Sequence, residues 1–189
     1  MSLLRAYLLA GLVIHKLVWE VLKRRDRPAA AAPSTSAAPL SVLRAMKIGI
    51  LAGLLAQTVA PELFPIMTDP RPLRVVGVVL YTAGLAIALL ARVQLGGNWS
   101  DIEAPQLSQN QAVVDRGIYR YIRHPIYTGD LLLLCGFELA LNSWLVLGLI
   151  AIVPYVVSQA LREELLLART LPGYAAYCTR TKRLIPFLI

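Results

Sequence analysis

Gly117-Ile118-Tyr119-Arg120-Tyr121-Ile122-Arg123-His124-Pro125-Ile126-Tyr127-Thr128-Gly129 opens onto two apolar segments, about Pro125 to Leu141 and Trp144 to about Leu161. They are joined by Asn142-Ser143 and followed by Arg162-Glu163-Glu164. Two helices of similar length with so short a connection predict an antiparallel hairpin, which returns the Glu163 end to the His124 end. Pro125 suits the first turn of a helix, and His124, preceding a proline, is pushed out of the helical region. Ring-bearing and charged side chains from distant parts of the chain thus meet at one end of an apolar hairpin. That places a reactive site at a lipid boundary.

The rest of the composition agrees. Of 189 residues, 57% are hydrophobic and 16% charged, with a mean hydropathy of +0.61, which predicts a polytopic membrane protein and not a water-soluble domain. The net charge of +8 would suggest nucleic acid in a soluble protein. Here the basic residues lie mainly at the ends of apolar runs, where they set topology, and no nucleic-acid partner is expected. Cys135 and Cys178 form neither a disulfide framework nor a metal spacing, so no metal site is expected.

Five segments are apolar enough to span or nearly span a bilayer. The first, about Leu3 to Leu22, ends in Lys23-Arg24-Arg25-Asp26-Arg27, a stop-transfer flank that argues against a cleaved signal peptide. Its His15, Lys16 and Glu20 read as structural, with Lys16 and Glu20 paired at four-residue spacing. A linker rich in Ala, Pro, Ser and Thr (28–40) follows, then about Ser41 to Ala60, then Leu73 to about Val93. The stretch Val75–Ala91 has no ionisable group and is the clearest span. Residues 1–93 would therefore hold three transmembrane helices, and 94–189 the catalytic region. Lys and Arg placement puts the amino terminus outside and the 94–123 connection with the basic tail in the cytoplasm; Arg71 and Arg74 dissent. Gly49 with Gly53, and Gly77 with Gly84, would allow close helix contact in lipid. The expected fold is all-α: five transmembrane helices, with a cytoplasmic cap formed by the 94–123 connection and the tail.

A connection of about thirty residues inside a compact membrane protein is usually functional or disordered. This one holds Gly96-Gly97-Asn98-Trp99, then Val113-Val114, which fits a folded cap. His124 reads either as a proton carrier or as a hydrogen-bonded residue at the helix start. Arg123 reads either as a phosphate contact at the membrane face or as a ligand contact. Asp130 and Glu138 lie deeper, and carboxylates inside a span are functional candidates.

The pattern Gly-x-Tyr-x-x-x-Arg-His-Pro-x-Tyr, the hairpin, Glu163-Glu164, then Tyr174, Tyr177 and a basic tail ending in Pro186 resembles the isoprenylcysteine carboxyl methyltransferase family. Prokaryotic members and the related phospholipid N-methyltransferases share it. The likeness covers about Gly96 to the end; the first two helices match only in hydropathy and number. It implies a membrane methyltransferase that uses S-adenosylmethionine on a lipophilic small-molecule or prenylated substrate reached from the bilayer. It implies a cofactor pocket formed by Gln111, Ala112, Val113, Val114, Tyr119, His124, Pro125, Tyr127 and Glu163, with Arg123, His124 and Glu163 nearest the chemistry. Eukaryotic members have an arginine one turn before that glutamate, where this chain has Gln159; Arg162 is adjacent but about 100° around the helix. Gln159 and Arg162 are thus the substrate-side candidates, and carboxyl methylation is the point of departure. The Leu171-Pro172-Gly173 segment also differs from the family's Phe-Gly pair, which predicts a local change in the tail helix.

Methyl transfer from a sulfonium needs alignment of the nucleophile and exclusion of water, with Glu163 holding amino or ribose groups of the cofactor. Two other functions fit the same residues: an NADPH-dependent membrane reductase of related architecture, and a small transporter or scaffold with Asp130 and Glu138 on an ion path.

Overall fold

The computed structural model describes residues 2–26, 42–59, 64–98 and 112–186. Within these, the chain forms six α-helices: α1 (Leu3–Arg25), α2 (Val42–Val59), α3 (Arg71–Leu95), α4 (Pro125–Ala140), α5 (Leu149–Thr170) and the short α6 (Tyr174–Arg180). Three 3-10 turns, Gly96–Asn98, Gly117–Arg120 and Trp144–Gly148, join them, and no strand occurs among the described residues. The Pro28–Pro39 linker and Trp99 lie outside the described residues.

The centre of the molecule is the contact between α3 and α4. Gly77 and Gly84 on α3 meet Gly136 and Gly129 on α4, and a methyl group on any of the four would overlap the facing backbone: Ala140 for Gly77, Leu133 for Gly84, Ala88 for Gly129 and Tyr81 for Gly136. Bare backbone on both helices permits this approach, and dispersion and close packing then hold helices that lipid would otherwise solvate equally well. Tyr81, Ala88, Phe137 and Ala140 are fully buried along the seam. Gly49 and Gly53 do nothing comparable: nothing within 4 Å would meet a side chain there. Only one of the two glycine pairs expected to mediate packing does so.

α1 is anchored on α3. Gly11 lies against Tyr81, whose hydroxyl donates to the Leu8 carbonyl at 2.6 Å, and the Tyr7 and Thr82 hydroxyls share a hydrogen bond of 2.7 Å. The expected Lys16–Glu20 pair gives way to Arg24, which donates to Glu20 at 2.9 Å. At the foot of α1, Asp26 accepts from the fully buried Arg92 of α3 at 2.8 Å.

The α4–α5 connection turns through Asn142, whose positive φ of 57° is a conformation that asparagine tolerates better than most residues. Its side chain donates to the Met67 carbonyl at 2.8 Å and accepts from the Met67 amide at 3.2 Å, tying 64–67 to this corner. Trp144–Gly148, expected to begin the fifth helix, is instead a 3-10 turn, and α5 runs on to Thr170, about nine residues past its apolar part. Glu163 and Glu164 are therefore mid-helix. Pro154 lies inside α5 and has no amide to donate to the preceding turn.

Among the described residues, two helices are long and apolar enough to cross a membrane, Arg71–Asn98 and Trp144–Thr170. α4, at 16 residues, reaches about 24 Å, short of a hydrocarbon core of about 30 Å. α1 carries charges, and the apolar part of α2 is the shorter Ile48–Thr58. The outer faces are nevertheless apolar: Val75, Val79 and Leu90 of α3 are exposed, and Ile150 of α5 is 72% exposed. Lipid accepts such a surface and water does not.

Candidate functional site

α4 and α5 touch at few points along their length. The space left beside them, closed by α1, α2 and the segments around Ala112 and Tyr174, is a cavity of about 540 Å³. One end is polar, with Tyr119, Arg123, His124, Tyr127, Gln159 and Glu163; the other is apolar, with Leu12, Ile50, Leu54, Leu133, Leu134 and Ile152.

The two ends of the hairpin meet as the sequence predicts. Tyr127 donates to Glu163 Oε2 at 3.0 Å, and the His124 ring stacks on Tyr127 with centroids 5.2 Å apart and planes 8° from parallel. His124 Nδ1 lies 3.6 Å from Glu163 Oε2, and its Nε2 3.2 Å from Glu164 Oε1. His124 is 5% exposed and Glu163 35%. Glu163 is thus the carboxylate that opens on the cavity.

Glu164 has a different task, to which nothing in the sequence points. Its carboxylate accepts from Arg123 Nε at 2.8 Å and from Arg183 Nε and Nη2 at 3.0 and 2.9 Å, a charge-assisted cluster drawn from three segments. Arg123 also donates to the carbonyls of Cys178, at 3.1 Å, and of Thr181. The paired carboxylate holds Arg183 above the usual arginine range, through its hydrogen bond first. Arg123 lines the cavity but its guanidinium is committed to this clasp.

Backbone pairing completes the clasp. Arg123 N donates to Lys182 O at 2.8 Å, His124 N to Arg183 O at 3.0 Å and Lys182 N to Tyr121 O at 3.0 Å. Thr128 adds a bond to the Leu184 carbonyl at 2.7 Å. Arg183, Thr181 and Leu184 were absent from the sequence-based site; the only signal for them was a basic tail, which topology already explained.

Tyr177 donates to the Tyr119 carbonyl at 2.7 Å. Burial pushes the phenols of Tyr119, Tyr174 and Tyr177 far above their usual range, so all three remain neutral donors. Before the Gly117 turn, Gln94 accepts from the Ile118 amide at 2.9 Å. Gly117 itself has a φ of +60° and no room for a side chain against Gln94. Gly96, with a φ of +54°, ends α3 and accepts from Arg92 at 3.1 Å; Gly97 shows neither feature.

Of the residues expected in the pocket, Ala112, Val113, Val114, Tyr119, His124, Tyr127 and Glu163 line the cavity, and so does Gln159. Gln111 lies outside the described residues. Pro125 is fully buried at the start of α4 and is not on the cavity wall. Arg162 is exposed on another face and reaches Gln159 Oε1 at 3.5 Å. Asp130 lines the cavity. Glu138 does not; it sits at the far end, accepting from Gln57 at 3.0 Å. Among the described residues no group of His, Cys, Asp and Glu could hold a metal ion.

The fold is similar to that of a eukaryotic intramembrane Ras methyltransferase, isoprenylcysteine carboxyl methyltransferase, with a TM-score of 0.63 over 93% of this chain at 18% identity. This chain spans 63% of that structure's length. No curated protein sequence matches it. The sequence model of phospholipid methyltransferases matches residues 73–172, which run from α3 through the hairpin and both glutamates. That match extends over more than half of the 189 residues, and the chain belongs to the phospholipid methyltransferase family.

Proposed function

We propose that this chain is a membrane methyltransferase that transfers the methyl group of S-adenosylmethionine to a lipophilic acceptor. The observation that carries this is a single cavity with a polar end, built on Glu163, Tyr127 and His124, that runs into an apolar end between α1, α2, α4 and α5. A charged cofactor and a greasy acceptor need such opposed surroundings within one enclosure.

The residues fit the cofactor by their chemistry. Glu163 offers a part-exposed carboxylate to amino or ribose hydroxyl groups. Ala112, Val113 and Val114 offer backbone groups and small apolar surface for a purine. When bound, the sulfonium supplies an electrophilic methyl, and the protein's part is alignment and dryness. His124, with both ring nitrogens near glutamates, belongs to the pocket wall and holds Tyr127 in place.

Five membrane passes, the external amino terminus and a cytoplasmic cap belong to the same reading. Support comes from Lys23, Arg24 and Arg25 on one side and the basic tail at the Glu163 end of α5. The site then faces the cytoplasm, within reach of the soluble cofactor.

Binding of S-adenosylmethionine by the purified chain in lipid nanodiscs tests the proposal. Glu163→Gln and His124→Ala are expected to weaken it at least tenfold. Absence of binding in both detergent and bilayer, or tighter binding of NADPH, overturns it.

A further inference from the structure

His15, which the sequence reads as structural, lies against Asp130: His15 Nε2 is 3.1 Å from Asp130 Oδ1. The two residues belong to α1 and α4, both line the cavity, and their side chains are 24% and 45% exposed. Asp130 is three residues beyond Tyr127, on the same face of α4 and about 4.5 Å further along its axis. The pair therefore sits one helical turn deeper than the Tyr127–Glu163 contact, where the polar end of the cavity gives way to the apolar end. The His15 ring also stacks on Trp19, with centroids 5.0 Å apart and planes 21° from parallel.

The pair joins α1 to α4 and is not needed to seat α1 on its main partner. α1 is already fixed on α3 by Leu8, Gly11 and Tyr7. Two ionisable groups facing a cavity inside a bundle cost more than an apolar contact would. Their arrangement has the form of a base and its orienter: with Nε2–H donated to Asp130 Oδ1, the tautomer is fixed and Nδ1 keeps its lone pair.

We infer that His15 is the proton acceptor for the methyl acceptor's nucleophile, positioned by Asp130, and that the acceptor is a protic group (N–H, O–H or S–H) on a lipophilic molecule. The inference rests on the methyl-transfer reading above. The proton leaves the nucleophile for Nδ1 while the nucleophile's electron pair takes the methyl carbon, whose former bonding pair stays on sulfur. The proton then passes to water. An already ionised carboxylate has no proton to give and gains nothing from such a pair.

The test uses the full chain in lipid nanodiscs and probes of equal chain length: hexadecylamine, hexadecanol, hexadecanethiol and, as the ionised control, hexadecanoic acid. With methyl-labelled S-adenosylmethionine, at least one protic probe is expected to be methylated tenfold faster than the acid. His15→Gln and Asp130→Asn are expected to lower kcat at least a hundredfold while cofactor Kd stays within twofold, and Asp130→Glu to recover part of the loss. A second readout needs no turnover. Diethyl pyrocarbonate acylates free imidazole nitrogens, and the chain has two histidines, of which His124 is buried between glutamates. Label located by mass spectrometry is expected on His15, slowed fivefold by the methylated probe and slowed also by Asp130→Asn. Equal or faster methylation of the acid, no methylation of any protic probe, unchanged kcat in both variants, or an unprotected His15 overturns the inference. Loss of cofactor binding in the unmodified chain overturns the methyl-transfer reading instead.

Discussion

α4 meets two of its neighbours, α3 and α5, in different ways. Against α3 it presents Gly129 and Gly136, and the backbones meet; beside α5 it leaves a cavity, bridged near one end by Tyr127 and Glu163. One face of a single helix is a weld and another a wall. The weld matters to the wall because His124, Tyr127 and Asp130 can be placed only as accurately as the helix that carries them.

Breaking the weld has the largest expected effect. Gly84→Leu or Gly136→Leu drives a side chain into facing backbone, and overpacking of that kind costs about 1–3 kcal/mol or more. Folded, monodisperse protein after detergent extraction is expected to be lost. Gly53→Leu, with nothing near it, is expected to extract normally; equal behaviour of the two would end the distinction between weld and open face.

Next comes the wall. Glu163→Gln is expected to cost tenfold or more in S-adenosylmethionine affinity, measured by calorimetry, with thermal stability nearly unchanged. Glu164→Gln should show the opposite balance. It weakens the cluster with Arg123 and Arg183, and truncation of a paired, part-buried charge loosens what the pair held. Faster proteolysis of 181–186 and a lower unfolding temperature are expected before any direct effect on the cofactor. If the two glutamates behave alike, the division between cavity and clasp is wrong.

The smallest effect is expected from Tyr177→Phe. It removes the hydrogen bond to the Tyr119 carbonyl, worth about 1 kcal/mol, and is expected to lower the unfolding temperature by a few degrees.

Much of this arrangement is legible in the sequence because hydrophobic runs and their breakers act locally. Pro125 suits the first turn of a helix and little else in an apolar run, and Asn142-Ser143 leaves room only for a tight return. The meeting of His124 with Glu163 follows from those two facts. Gly77 and Gly84 are readable as a seam, but Gly49 and Gly53 show the same kind of spacing without one, since spacing says nothing about what stands opposite. Glu163 and Glu164 differ by about 100° around a helix; the family resemblance picks out Glu163 for the pocket, while nothing local assigns Glu164 to the tail. The His15–Asp130 contact joins positions 115 residues apart; nothing local to either announces the other.

Pro154 gives the wall a mechanical character. It takes one rung from the hydrogen-bond ladder of α5, between Ile152 on one side and Tyr155 and Val156 on the other, all three on the cavity. A helix with a missing rung is softest there. The two walls of the cavity thus differ in stiffness: α5 carries a soft joint level with the cavity's apolar end, while α4 is held backbone to backbone on α3.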